Sequence, residues 1–387
     1  MKTNKEPLFE KLVSIDNLEK AVINSAKKKT DRARVRNALK NKDRIVQRLR
    51  YLIINKKLRL PVHEGVDIND GISQKRRIIV KPYYVYELIF QWAIVQVLKP
   101  IMLKGMYKWS CGSITGRGAL YGKRYLERYI KQNPKKIKYG AEADIYHFFE
   151  SIDIELLKQM FRKKIRDKNM LWAIDLVLDC NKITYHGEEI DIGLPIGFYT
   201  SQWFANFYLE GLDHYIKEQL HVKCYLRYVD NLVLVGANKR ELHKALFEIS
   251  KYLAGIGLRL KGNYQVFRFS YTDKHGKEKG RAFDFMGYRF FRNKVIIRRK
   301  IFYKIMRKVR KVSRLKIIDV HSARQITCYM GYIKHTNSYK LFQEQIKPLV
   351  NIGNCKKIVS GNDIRKEKRN AKSTMERSAE QRTTNVN

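Results

Sequence analysis

Two aspartates constrain this chain more than any other feature. Asp144 lies within Ala143-Asp144-Ile145-Tyr146-His147-Phe148-Phe149, and Asp230 within Tyr228-Val229-Asp230-Asn231. Residues 138–149 read as a strand. Residues 224–235 read as two strands about a tight turn at Val229-Asp230-Asn231. A lone carboxylate among apolar strand residues is costly to desolvate, so it needs a partner, and a divalent cation is a natural one. Two such acids on adjacent strands can clamp two Mg²⁺ ions for in-line nucleotidyl transfer. One ion would activate a 3′-hydroxyl and the other would steady the leaving pyrophosphate. Taken singly, either aspartate reads first as a turn residue or a salt-bridge partner.

The charge balance favours an anionic partner. Lys and Arg number 80 against 37 Asp and Glu in 387 residues, a formal charge of +43. Such self-repulsion is relieved by a polyanion, nucleic acid first and an acidic membrane surface second. With 44% hydrophobic residues the chain can bury a core, which excludes wholesale disorder. The five cysteines are far apart, with no CxxC pair, which argues against a zinc site and a disulfide framework. They point to a reducing, cytoplasmic setting. Residues 1–9 are polar, unlike a signal peptide, and no uncharged apolar run reaches 18 residues, so no membrane span is expected.

Residues 1–60 read as helical, with Asp16 and Glu19 matching a capping box. In residues 44–58, Ile45, Leu49, Leu52 and Ile53 share a face. Residues 76–82 read as a strand flanked by cations and 84–103 as a mostly buried helix. Residues 110–122 form a Gly-rich loop without the Gly-Lys-Ser/Thr ending of a Walker phosphate loop, where Arg117 is a candidate phosphate contact. A hairpin is expected about Gly187, a helix over 200–220 and another over 241–253. Residues 264–271 and 281–291 read as strands joined by a polar turn, and 298–350 as helices with a basic first member. From about 362 the composition fits a disordered tail.

Read in order, the blocks are Arg77 and Lys81; Asp144; Gly193-Leu194-Pro195-Ile196-Gly197-Phe198-Tyr199-Thr200-Ser201-Gln202; Tyr228-Val229-Asp230-Asn231; and Phe285-Met286-Gly287-Tyr288. Over roughly residues 60–350 this series resembles the bacterial reverse transcriptases. It matches their fingers arginine, first palm aspartate, Gly-x-x-x-Ser-Gln helix start, Tyr-x-Asp-Asp turn and Phe-Leu-Gly-Tyr strand. The 196–202 form and Cys328-Tyr329-Met330-Gly331-Tyr332 are similar to the diversity-generating retroelement type. The Val-Thr-Gly element of retron enzymes is missing.

The resemblance implies an α+β right-hand polymerase: an N-terminal helical extension over 1–60, fingers and a palm with an antiparallel sheet over 61–295, a helical thumb over 296–355, and a basic tail over 356–387. It implies RNA-templated addition of dNTPs with two Mg²⁺, or Mn²⁺, held by Asp144, Asp230 and Ile145, with Asn231 beside them. Arg77, Lys81, Phe149, Gly197, Gln202 and Lys261 would serve the nucleotide, Phe149 as a sugar gate and Lys261 as a proton donor to pyrophosphate. Arg117, Ser201, Tyr228, Met286, Gly287, Lys304, Arg307 and Lys308 would contact nucleic acid. A solvated strand edge competes for Arg77 and Lys81, a core aromatic for Phe149, and a packed strand for 285–288.

Two departures stand out. The second turn aspartate of the family is Asn231, which brings an oxygen but no charge; Glu142, two residues before Asp144, shares its strand face. Tyr86-Glu87 and Phe90-Gln91 stand where relatives often carry Asp-Arg and Gln-His. The implied partners are an RNA template and DNA primer, a cognate noncoding RNA, and an accessory protein or second polymerase subunit. The implied role is copying in a diversity-generating retroelement or antiphage synthesis guided by a noncoding RNA. The rivals are a catalytically impaired RNA-binding protein of the same fold and, ranked lower, an intron maturase.

Overall fold

The computed structural model describes residues 7–69 and 76–362. The chain divides into two compact units, Met1–Arg281 and Ala282–Asn387, a boundary earlier than the one expected at 295.

The first unit opens with four amphipathic helices, α1 (Leu8–Val13), α2 (Ile15–Ala26), α3 (Ala33–Lys40) and α4 (Lys42–Ile54). Helix α4 buries Ile45, Val46, Leu49 and Ile53 on one face. The expected cap at Asp16 is displaced to Ser14. Ser14 has extended backbone angles, and its hydroxyl accepts the Asn17 N–H at 3.2 Å. Asp16 is already inside the helix and pairs with Lys20, while Glu19 pairs with Lys42.

Strands β1 (His63–Asn69) and β2 (Arg76–Val80) pair antiparallel, and β1 pairs parallel with β5 (Lys182–Tyr185) of the expected hairpin, whose other strand is β6 (Glu188–Asp191). The sheet order is β2-β1-β5-β6. Helix α5 (Ile89–Gly105) starts later than its apolar run. Val85 and Tyr86 break the helix before it, Tyr86 with φ 68°. There the Glu87 carboxylate accepts the Tyr83 N–H and pairs with buried His63. By length and composition Tyr84–Gly105 could cross a membrane. Here α5 is a core helix, packed on α2 and on α9 (Tyr199–Tyr208).

A second sheet has the order β3-β7-β8-β4-β9. Its strands are β3 (Ser110–Cys111), β4 (Tyr139–Asp144), β7 (Cys224–Tyr228), β8 (Asn231–Gly236) and β9 (Gln265–Arg268). It is antiparallel except for the short β3–β7 edge. Helices α7 (Ile154–Lys164), α9, α10 (Glu210–His214) and α11 (Lys239–Ala254) accompany it. Phe161 of α7 packs against Phe204 and Phe207 of α9. Two helices escaped the sequence reading, α6 (Ala119–Gln132) and α8 (Lys168–Leu178). Each follows a Gly- or charge-rich stretch that reads as loop. Residues 271–272 and 278–279 form a minimal hairpin, β10–β11.

The second unit holds β12 (Phe283–Phe285), β13 (Tyr288–Phe290) and β14 (Val295–Ile297), then helices α12 (Arg299–Ser313) and α13 (Val320–Lys334). The single strand expected over 281–291 is a hairpin. Met286 and Gly287 turn it with φ 54° and 85°, and β12 pairs with β13 rather than with β9. Ile297, Ile301, Ile305, Val309, Ile326 and Ile333 form this unit's core. Residues 352–362 are helical, so the expected tail starts later than 356; its remainder, 363–387, lies outside the described residues.

One histidine ties two elements of the first unit. His214 reaches the Gly105 carbonyl at the end of α5 through Nε2, 2.8 Å, and Glu218 through Nδ1, 2.6 Å. Both partners are acceptors, so the imidazolium is favoured. The Glu218 bond, then the Gly105 carbonyl, raise its pKa above the usual value. A raised histidine stabilises the fold fully below the unfolded value of about 6.5 and loses that contribution as pH rises through the folded value. The melting-temperature advantage of wild type over His214→Gln should therefore be present at pH 5.5 and absent at pH 9. Thermal melts across that range check it, and a pH-independent difference would contradict it.

Candidate active site

Strand pairing builds the site. Asp144 ends β4 directly opposite Asn231, the first residue of β8, and the Ile145 N–H donates to the Asp230 carbonyl at 3.1 Å. The two aspartates, 86 positions apart in sequence, thus meet at one sheet end. The main chain of 259–261 seals the other side. Tyr146 N–H donates to Arg259 O and Lys261 N–H to Asp144 O, both at 2.8 Å, with a bridge between Ile145 and Leu260.

The electrostatics follow from that placement. The Lys261 ammonium pairs with Asp144 Oδ2, whereas buried Asp144 Oδ1 has no hydrogen-bond partner. Burial first, and the charge of Asp144 second, push the Asp230 carboxyl above its ordinary value. Asn231 donates to Asp230 Oδ1 at 3.0 Å, which commits its amide NH₂ and leaves its oxygen as the group a cation could use. The Ile145 side chain is fully buried, so only its backbone can serve a cation. Among the described residues no cluster of three or more His, Cys, Asp or Glu could hold a metal. The donor set is therefore two carboxylates, one amide oxygen and backbone. An orphaned carboxylate oxygen beside a second acid fits a divalent cation, because such an ion relieves both the missing contact and the mutual repulsion.

Support for the turn was not read from the sequence. Val229 has φ 58°, rare for a β-branched residue, and it occupies the first central position, which glycine usually takes in such hairpins. Beneath it, fully buried Arg227 donates to the Val229 carbonyl at 2.9 Å and to Asn206 at 3.1 Å. It forks onto Asp213 at 2.8 and 2.6 Å. Tyr225 adds a hydrogen bond to Asp213. The Gly-rich loop lies alongside: a Cβ on Gly112 would meet Val229 Cγ2 at 2.7 Å. The available signal was an arginine inside an otherwise apolar strand, which needs a buried acid.

The nucleotide candidates converge by main-chain ties. Val80 N–H donates to Ile196 O and Leu194 N–H to Phe149 O, so the 193–198 loop joins the end of β2 to the residues after Asp144. Arg77 and Lys81 are exposed, Gln202 is exposed and Phe149 half-buried. Gly197 is needed for packing on β2: at φ 122° an added Cβ would lie 2.0 Å from the Val80 carbonyl oxygen. Gln91 serves the start of α9, accepting the Tyr199 N–H at 2.8 Å.

Other expected contacts are engaged inside the fold. Ser201 is 1% exposed, because α9 is buried on nearly every side, so its side chain is withdrawn from a template. Arg117 donates to the Tyr107 carbonyl and closes its own loop. Tyr228 is half-buried where β7 pairs with Asn231. In the second unit, Met286 and Gly287 form the β12–β13 turn, and Lys308 is tied to Ser322 across α12 and α13. Lys304 is half-buried and Arg307 exposed on α12.

A family model described as "Reverse transcriptase (RNA-dependent DNA polymerase)" matches residues 69–290, more than half of the chain. The chain belongs to that reverse transcriptase family. No curated protein matches it significantly. Among solved structures it is similar to apo telomerase from Candida tropicalis, with TM-score 0.48, 12% identity, 74% of this chain and 60% of that one. It is also similar to telomerase from Candida albicans in complex with a fragment of telomeric RNA, with TM-score 0.48, 11% identity, 76% and 55%. The chain therefore spans less than two thirds of either telomerase.

The raised Asp230 carboxyl has a stability consequence. A carboxyl whose folded value exceeds its unfolded one costs stability at neutral pH, where the unfolded chain is ionised. A neutral isostere removes that cost. Asp230→Asn should raise the metal-free melting temperature at pH 7 by about 1–3 °C, with the difference shrinking toward pH 4. An unchanged or lower melting temperature would contradict that cost of burial and repulsion.

Proposed function

We propose that this chain is an RNA-directed DNA polymerase, adding dNTPs to a primer 3′ end on an RNA template. The observation that carries the reading is Asp144 beside Asp230 at a strained hairpin, one carboxylate oxygen buried without a partner. Asp144, Asp230, the Asn231 oxygen and the Ile145 backbone would hold divalent cations, Mg²⁺ or Mn²⁺. When bound there, such ions would ease loss of the primer hydroxyl proton and neutralise charge on the leaving pyrophosphate. Arg77 and Lys81 would bind the triphosphate as charge-assisted donors. Phe149, five residues after Asp144, would exclude a ribose 2′-hydroxyl. The exposed cations of α12, Arg299, Lys300, Arg307, Arg310 and Lys311, would track phosphates without reading sequence.

The finer proposal is a diversity-generating retroelement enzyme, supported by the 196–202 block and by 328–332. An antiphage enzyme guided by a noncoding RNA is the alternative. Either would work with a cognate RNA and an accessory protein or second polymerase subunit, and the cysteine usage supports a cytoplasmic setting. Sequencing RNA that copurifies with the chain separates them: a repeat matching a variable gene supports the first, a structured noncoding RNA the second. Asn231 favours one further reading, a catalytically impaired RNA-binding protein.

Primer extension on an RNA template, with Mg²⁺ and Mn²⁺ tested separately, decides between polymerase and binder. Wild type should extend with at least one ion, and Asp144→Ala should lose about 10³-fold or more. Activity undiminished in Asp144→Ala would overturn the assignment, and RNA binding without extension by wild type would favour the binder. Phe149→Ala should raise rNTP incorporation relative to dNTP. An unchanged ratio would remove the gate from Phe149.

A further inference from the structure

We propose that Lys261 is a built-in counter-ion for the carboxylate pair, occupying the cation's place on Asp144 until a divalent ion displaces it. The proposal deepens the polymerase reading and rests on it. Three observations carry it. The Lys261 ammonium sits on Asp144 Oδ2, while Oδ1 of the same carboxylate is buried and unpartnered. The Lys261 main chain is fixed, its N–H on Asp144 O at 2.8 Å and neighbouring Leu260 bridged to Ile145. Both side chains keep about a quarter of their surface exposed, at 25% and 26%, so an ion from solvent can reach the pair.

These fix what can move. The backbone is tied to β4 by hydrogen bonds, but the flexible four-carbon stem can swing the ammonium away. An ammonium on Oδ2 and a divalent cation drawn to the unpartnered Oδ1 share one carboxylate and repel each other within a few ångströms. Lys261 therefore has opposite effects on the two states. It steadies Asp144 and Asp230 when no metal is present, and it weakens the grip on metal when one arrives. One ammonium also cannot serve Asp144 and a phosphate together, so any contact of Lys261 with pyrophosphate must follow its displacement.

The test is Mn²⁺ titration followed by electron paramagnetic resonance on the full chain, with Asp144→Ala defining binding elsewhere, alongside melts with and without Mn²⁺. Lys261→Met should bind Mn²⁺ about tenfold tighter than wild type. Its metal-free melting temperature should fall, and saturating Mn²⁺ should bring it back to the wild-type value. Lys261→Arg, which keeps the charge, should stay within about twofold of wild-type affinity. Unchanged or weaker Mn²⁺ binding by Lys261→Met, or a metal-free melt equal to wild type, would overturn the proposal while leaving the polymerase reading intact. Wild-type Mn²⁺ binding that does not depend on Asp144 would instead overturn the polymerase reading beneath it.

Discussion

Two negative charges held at one end of a sheet are the constraint around which the first unit is organised. The β4–β8 ladder brings Asp144 opposite Asn231, and the hairpin return places Asp230 beside both. Nothing about folding alone favours that arrangement, because burial and proximity both disfavour the second charge. The fold tolerates it through one ammonium, one amide and a hydrogen-bonded frame of paired strands. Acid pairs perturbed in this way cluster at functional sites rather than at purely structural ones.

The frame carries strain as well as charge. Val229 in a left-handed conformation would relax into a looser turn if it could. Arg227 holds its carbonyl from below, and the Gly112 backbone closes on its side chain. The guanidinium is itself held by Asp213 and Asn206, and Asp213 in turn by the Tyr225 hydroxyl, so the geometry at Asp230 depends on residues of α9, α10 and β7 that never face solvent. A buried ion pair is a poor source of net stability, but one whose fork points in a single direction can specify a turn.

The legibility of these features followed their range. The apolar flanks of Asp144 and Asp230 made strands and a hairpin readable, because period-2 patterning and a tight turn are local signals. The 281–291 hairpin was misread since Met286-Gly287 interrupts an unbroken apolar alternation by backbone conformation alone. Helix α6 was hidden because Gly112, Gly116 and Gly118 precede it, and glycine marks a loop without saying where it ends. Ser201 was expected at the template only because the resemblance to the family's Ser-Gln helix start implies it; α9 is buried on nearly every side, and Ser201 with it. Gly197 was expected to serve the nucleotide, and the close approach of the Val80 carbonyl, which also requires a glycine there, was not legible.

By itself the sequence determined which acids and cations are candidates for the chemistry, the order in which they occur, the surplus of positive charge, and a core large enough to hold them. Those are properties of side chains and local periodicity. Only the tertiary structure decided who meets whom: Lys261 on Asp144, Arg227 under Val229, Gly197 against Val80. Each is a contact between segments distant in sequence, set by strand register and loop closure, and no local pattern encodes the partner at the other end.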